Sequence, residues 1–363
     1  ETDWAENRAK IPQDIIRSTL GKVFDNLYST GERDKFRTRL ERSGSGGTEI
    51  FISHRGMIET YSTKEKDQTV WQPRPADPEL EAEFLRRLMV KLGVAQEQSR
   101  ALVAAGAHVI MAVRNTELGA QRAREVGGST EVIRLDLADQ SSVRAFPDLL
   151  DGDVDILINN AGGLTEHRTE TIDGFEGTIG TNLLGPFALT NLLYHRVRSQ
   201  IVNVGSEAHK SASLRIDDPH LRTHKWTTMG AYARSKLAVM LWGLDLDRRL
   251  RAAGSPVVTQ LTHPGWVASN LSHVSDSPLM SLAHKVVKVV ADRVANDIHA
   301  GAAPTLYCLS EPIPPGSYVG VSGRFGLTGG PVLIGRSEVA CDYELAARLV
   351  EFAETETGTT LPV

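Results

Sequence analysis

The sequence predicts an α/β protein in which a doubly wound parallel sheet follows a small α+β unit. Three observations carry this. Composition shifts near residue 95, from a charged and aromatic segment to one dominated by Ala, Val, Leu and Gly, as sheets covered on both faces require. Beyond that point six short apolar runs alternate with helical spacings, the pattern of strand-helix-strand units. Ahead of it the order is helix, strand, strand, strand, helix. Two domains are therefore expected, 1–95 and 96–363.

In the first, Ile16, Leu20, Val23 and Leu27 recur at helical spacing, with Pro12 near the first turn and Gly31 past the end. Phe36, Thr38 and Leu40 alternate with Arg37, Arg39 and Glu41, as in a half-buried strand. Ser43 to Gly47 is a turn, and Thr48 to Met57 reads as a second strand closing a hairpin. Val70-Trp71-Gln72 is a third strand. Asp77 caps a helix whose stripe is Leu80, Phe84, Leu88 and Leu92, with Gly93 ending it. His54 with Arg55 reads as structural, and Arg37, Arg39 and Arg42 as a solvated strand face.

In the second domain, strands are expected at Ala107 to Val113, Glu131 to Leu137, Val154 to Ile158, Ile201 to Val204, Val257 to Leu261 and Tyr318 to Val321. Helices fall between them at Glu117 to Glu125, Leu183 to Tyr194 and Tyr232 to Arg251. Ser277 to His299 reads as a lid or an extra surface helix, and a last helix runs to Glu356.

Bulk properties narrow the function. A chain of 363 residues with a formal charge of −5 is no polyanion binder. Two cysteines, Cys308 and Cys341, exclude a disulfide scaffold or a cysteine-rich metal site and fit a reducing compartment. No apolar run reaches membrane-spanning length, and Glu1 opens the chain without Met or a signal-like segment. The expected location is cytoplasmic, with no metal, no nucleic acid and no membrane span.

The chemistry sits in Tyr232-Ala233-Arg234-Ser235-Lys236 and in Ser206, at the end of the run Ile201-Val202-Asn203-Val204-Gly205. A Tyr and a Lys four apart share one helix face. A free phenol has a pKa of ~10, which a neighbouring ammonium lowers. A strand-end hydroxyl can then donate to a carbonyl oxygen as negative charge builds on it. Together they make a proton donor, a cation beside it and an oxyanion partner.

With Asn159-Asn160-Ala161-Gly162 and His263-Pro264-Gly265 in register, the sequence from about residue 100 to the end resembles the short-chain dehydrogenases. Ser213 to Asp218 and Asp342 to Ala346 look like the retinol-dehydrogenase branch. The resemblance implies a Rossmann-type fold and alcohol–carbonyl interconversion on an apolar small molecule. It also implies a catalytic set of Ser206, Tyr232, Lys236 and Asn182, Asn182 connecting Lys236 to solvent. It assigns cofactor contacts to Asp136 and Leu137 at the adenine and to Asn160, Ala161 and Gly162 at the ribose. Tyr232 and Lys236 meet the nicotinamide side, as do Pro264, Gly265 and Ser269. Arg114 stands where a 2′-phosphate would bind, so NADP is expected over NAD. Trp226, Met229, Trp266 and Leu271 are candidate pocket residues, and homodimerisation through the helices at Leu183 and Tyr232 is expected.

Residues 1 to 95 resemble the outer-membrane barrel-assembly lipoprotein family BamC in Glu1 to Asn7, Tyr28 to Asp34, Ile52 to Gly56 and Trp71 to Arg74. That resemblance implies a non-catalytic helix-grip domain whose partners are barrel-assembly proteins, and an outer-membrane or periplasmic association if the segment is functional. The family's lipid-bearing Cys is not among these residues.

One element of the dehydrogenase pattern is missing. Nothing ahead of Arg100 supplies the first strand and its Gly-rich phosphate loop. That strand would lie between those at Ala107 and Val154, and each peptide group left unpaired there costs about 1–3 kcal/mol. The sheet is therefore expected either to be split or to recruit another segment, and cofactor binding and activity to be impaired. Two other readings stand beside the oxidoreductase: a binding component of the envelope carrying a dehydrogenase remnant, and a fusion without a role of its own.

Overall fold

The computed structural model describes residues 95–165, 167–265, 298–323 and 329–363, with four strands ahead of them. The first three form a small antiparallel sheet: β1 (Thr48–Ile52) pairs with β2 (Ile58–Ser62), and β2 with β3 (Thr69–Val70). The expected strand from Thr48 to Met57 thus stops at Ile52, and its partner is β2. The expectations at Ile16 to Leu27, Phe36 to Leu40 and Ser43 to Gly47 lie outside the described residues, as does the helix from Asp77 up to residue 87.

The main sheet has eight strands in the order β11-β10-β9-β8-β7-β4-β5-β6. Along the chain these are β4 (Leu88–Lys91), α1 (Ala95–Ala104), β5 (Val109–Val113), α2 (Thr116–Val126), β6 (Thr130–Arg134), α3 (Gln140–Ala145) and β7 (Val154–Asn159). A short helix α4 (Gly177–Ile179) leads through a π-helical turn, Gly180–Leu184, into α5 (Gly185–Leu193). Then come β8 (Val197–Val204), α6 (Thr228–Ala252), β9 (Val258–Thr262), α7 (Ile298–Ser310), β10 (Tyr318–Val321), β11 (Pro331–Leu333) and α8 (Tyr343–Thr357). All neighbours are parallel except β11, which runs antiparallel to β10.

The α/β, doubly wound class stands as read, but two details are corrected. Leu88–Lys91 is a strand, not the end of a helix, and it occupies the position read as missing. Its ladder runs from Leu88↔Val109 to Lys91↔Ala112 on one side and from Leu88↔Ile156 to Val90↔Ile158 on the other. The central peptide groups of β5 and β7 are therefore paired and the sheet is continuous. Its first strand comes from ahead of residue 95, where the second domain was expected to begin. Leu80, Phe84, Leu88 and Leu92 keep helical spacing, yet a central parallel strand carries no alternation to set against it.

Side chains alternate across the sheet as the strand period demands. Ile110, Ala112, Leu157 and Ile201 enter one core with α5, α6 and α8. Val109, Met111, Ile156, Ile158 and Val202 enter the other with α1 and α7. Helix α5 can lie this close because of Gly185: a Cβ there would run into the Leu137 carbonyl oxygen and come 2.8 Å from the Leu137 Cβ. Among the described residues no helix is long and apolar enough to cross a membrane.

Candidate active site

The parallel strands β4 to β9 all end on one edge of the sheet. The chain leaves β4 towards β5 and β6 on one side, and β7 to β9 lie on the other. The crevice between β4 and β7 is thus the switch point at which such sheets hold ligands.

Ser206 stands two residues past β8. The amide of Gly205 donates to the Thr262 carbonyl at 2.6 Å. A Cβ at Gly205 would sit 2.9 Å from Met240 Sδ, so glycine lets the chain pass between α6 and β9. Ser206 is extended (φ −166, ψ 149) and its hydroxyl accepts from the Ala208 amide, capping the turn Glu207–Ser211.

Tyr232 and Lys236 lie on α6, whose start is fixed by Thr227, its hydroxyl accepting from the Gly230 amide at 3.1 Å. Tyr232 is half-buried, and the Ser206 side chain acts on its phenol in the direction of the ionised form. Lys236 Nζ is 5.8 Å from the Tyr232 ring centroid and donates to the Val204 carbonyl at 2.8 Å. Burial pulls the Lys236 pKa down to about 8. Burial pushes Tyr232 up from its ordinary value, and the Ser206 side chain opposes that only in part. Desolvation therefore favours the protonated phenol at Tyr232.

Asn182 sits in the π-helical turn, a device common at functional sites because the extra residue re-aims a side chain. Its Nδ2 donates to the Gly163 carbonyl at 2.8 Å and to Ser235 Oγ at 2.9 Å, and its Oδ1 accepts from the Gly163 amide at 2.9 Å. Ser235 Oγ donates onward to the Tyr232 carbonyl at 2.8 Å. A Cβ at Gly162 would lie 3.1 Å from Asn182 Oδ1 and 3.5 Å from Lys236 Nζ. The structure thus brings Ser206, Tyr232, Lys236, Asn182 and Gly162 to one place.

The remaining predicted contacts line the same edge. Arg114 is exposed directly after β5. Asp136 lies two residues past β6, its Oδ1 accepting from the Ala138 amide at 3.0 Å, and Leu137 beside it is buried. Asn160 and Ala161 follow β7. Pro264 and Gly265 follow β9, where Gly265 takes φ +74 and its amide donates to His263 Nδ1 at 3.0 Å. Ser269, Trp266 and Leu271 lie outside the described residues. Trp226 does not read as a simple pocket wall, because its Nε1 donates to Glu176 Oε1 at 3.0 Å.

A dinucleotide is the ligand this edge implies. The small residues over Asn182 and Lys236 leave room that any larger side chain at 162 would fill, which fits a flat ring there. At the diphosphate position the chain offers the start of α1, three residues after β4, with Gly93 the only glycine in that link. Glu97 in the first turn pairs with Arg100. Among the described residues this edge fits the nucleoside and nicotinamide ends, and the start of α1 offers backbone amides to a diphosphate.

Sequence reasoning missed Glu176. Its carboxylate is 1% exposed and accepts from the amides of Thr178 and Ile179 at 3.1 and 2.9 Å, besides Trp226. It therefore ties the start of the Asn182 helix to the residue before the α6 cap. Its position two ahead of Thr178 was the available signal.

The sequence matches the short chain dehydrogenase family over residues 90–278 and the outer membrane protein assembly factor BamC-like N-terminal domain over residues 1–106. Human retinol dehydrogenase 12 is 36% identical over 235 residues, 60% of this chain and 72% of that protein. The outer membrane protein assembly factor BamC of Thiobacillus denitrificans is 64% identical over 129 residues, 36% of this chain. The chain spans 33% of that protein's length. A crystal structure of a protein from Mycobacterium Paratuberculosis superposes with a TM-score of 0.65 at 40% identity, covering 77% of this chain and 95% of that one.

Proposed function

Because the chain belongs to the short-chain dehydrogenase family, we propose that it is an NADP-linked oxidoreductase interconverting an alcohol and a carbonyl on an apolar small molecule. The nicotinamide, when bound, supplies the hydride in reduction or accepts it in oxidation. Arg114 would hold the 2′-phosphate, Asp136 and Leu137 the adenine, and Asn160, Ala161 and Gly162 the ribose. Pro264, Gly265 and Ser269 would flank the nicotinamide.

In the reductive direction the Ser206 hydroxyl donates to the substrate oxygen, where charge develops. Tyr232, a neutral phenol, transfers its proton to that oxygen. Lys236, buried and cationic below a pH of about 8, stabilises the phenolate left behind. Asn182 holds the Gly163 backbone beside Lys236 and, through Ser235, the backbone of Tyr232. The observation carrying this reading is the convergence of Tyr232 and Lys236 on one face of α6 at the end of β8, with Lys236 Nζ 5.8 Å from the Tyr232 ring and donating to Val204, two residues before Ser206.

Retinol dehydrogenases 11 to 13 and polyprenol dehydrogenase among the relatives support a bulky apolar substrate. With one glycine ahead of α1, the diphosphate is held more weakly than by a glycine-rich turn. Titrating NADPH by its fluorescence, then adding a long-chain aldehyde, tests both statements. Saturable binding with turnover supports the reading, and the absence of both rejects it.

The BamC-like match over 1–106 favours a second role for the first segment, docking to barrel-assembly proteins. In this reading residues 1–95 and 96–363 are two units, the first lending Leu88–Lys91 to the sheet of the second. The dehydrogenase unit pairs as a homodimer, which sedimentation measures.

A further inference from the structure

Behind Ser206 lies an imidazole that the reaction above does not use. His209 is fully buried, 0% exposed. Its Nδ1 is 2.6 Å from the Ser206 carbonyl oxygen, and its Nε2 accepts from the Ser337 amide at 3.2 Å. The Tyr318 ring meets it edge-on with centroids 5.8 Å apart.

These two partners determine the ring's protonation. A carbonyl oxygen only accepts, so Nδ1 carries the hydrogen. A peptide amide only donates, so Nε2 is bare. The ring is therefore neutral and in one tautomer, and burial agrees by holding its pKa below the ordinary histidine value. It bridges the catalytic serine to the segment after β11, at the edge of the sheet.

The bond adds to the Ala208 amide on the Ser206 hydroxyl and the Gly205 amide on Thr262 in fixing this peptide. Gly205 precedes it without a side chain, and the Glu207–Ser211 turn that follows is one short 3-10 helix. The Ser206 carbonyl takes two bonds, from the His209 amide at 3.2 Å and from the His209 ring. Both come from the same residue. Without the ring bond the Ser206 carbonyl keeps the His209 amide, and the Ser206 backbone can turn about φ, which carries Cβ and the hydroxyl with it.

We propose that His209 is a positioning residue: its Nδ1–H clamps the Ser206 carbonyl so that the Ser206 hydroxyl stays on Tyr232, and Ser337 holds the ring in place from its far side. The consequence for turnover rests on the oxidoreductase reading; the consequence for Tyr232 does not.

Two isosteric substitutions separate the halves of the clamp. His209→Asn places an amide near the Nδ1 position and can still donate to Ser206. His209→Gln places one near Nε2 and keeps only the Ser337 bond. The Tyr232 pKa is read from ultraviolet phenolate titrations of each protein against its Tyr232→Phe counterpart, which removes the other six of the chain's seven tyrosines. In His209→Gln the Tyr232 pKa rises to that of Ser206→Ala, and kcat falls about tenfold, equivalent to ~1.4 kcal/mol, with KM little changed. His209→Asn rescues both. A packing role against Tyr318 would move the two variants alike, so equal shifts, or none in His209→Gln, overturn the proposal. In the wild-type protein the histidine 15N spectrum must show His209 as the neutral Nδ1–H tautomer; an Nε2–H ring overturns it whatever the variants do. A Gln-specific shift in a protein that never oxidises NADPH rejects the oxidoreductase reading alone and leaves the clamp standing.

Discussion

Replacing Lys236 by Met should stabilise the protein at neutral pH while removing its activity. Lys236 is buried, and its charge is desolvated with a carbonyl as its hydrogen-bond partner and, among the described residues, no carboxylate paired with it. Its pKa falls from 10.5 to about 8, and at ~1.4 kcal/mol per unit the folded state bears a cost of about 3 kcal/mol for holding the cation. The folded pKa lies below the unfolded one, so the unfolded chain binds more protons between them. Stability therefore rises with pH across that window: the full cost applies below about pH 8 and falls under ~1 kcal/mol by about pH 10. Met fills the same volume without a charge but leaves the Val204 carbonyl unpaired, at about 1–3 kcal/mol. That loss is the same at every pH. Urea unfolding of both proteins at neutral pH and near pH 10 isolates the charge contribution. The variant should gain on wild type by about 2–3 kcal/mol more at neutral pH than at high pH. A difference that is flat with pH would refute the claim that Lys236 is held as a strained cation.

Other predictions follow from the same geometry. Glu176→Ala strands the amides of Thr178 and Ile179 and the Trp226 indole N–H, and should lower the urea unfolding free energy by about 3 kcal/mol. Gly185→Ala drives a methyl against Leu137 and should cost about 1–3 kcal/mol by the same assay; no loss would mean α5 packs elsewhere. Arg114→Asp removes the cation proposed to meet the 2′-phosphate and should shift the ratio of NADPH to NADH affinity by about tenfold or more towards NADH. An unchanged ratio would remove Arg114 from the cofactor site.

How far the sequence carried this reading depends on what kind of signal each element leaves. Ser206, Tyr232, Lys236 and Asn182 could be placed as neighbours because strand-end and helix-face positions follow from spacing, and the structure links Asn182 through Ser235 to the Tyr232 backbone. Strand Leu88–Lys91 was not. A central parallel strand has apolar residues in succession, and Leu88 and Leu92 satisfied a helical stripe equally well. Its identity comes from the ladders on both sides, β5 and β7, which are far away in sequence. The short antiparallel β11 was missed because three residues hold too little pattern. The desolvation that raises the Tyr232 pKa leaves no mark in a sequence. Glu176 and His209 escaped for a related reason: their partners lie at Trp226 and Ser337.

The most direct test of the central claim is NADPH oxidation by the wild-type chain and by Tyr232→Phe, with a long-chain aldehyde as the other reactant and NADPH binding followed in the same samples. The account predicts that both proteins bind NADPH and that only the wild type consumes it. Equal consumption by the two, or a wild type that binds the nucleotide yet never oxidises it, would contradict it.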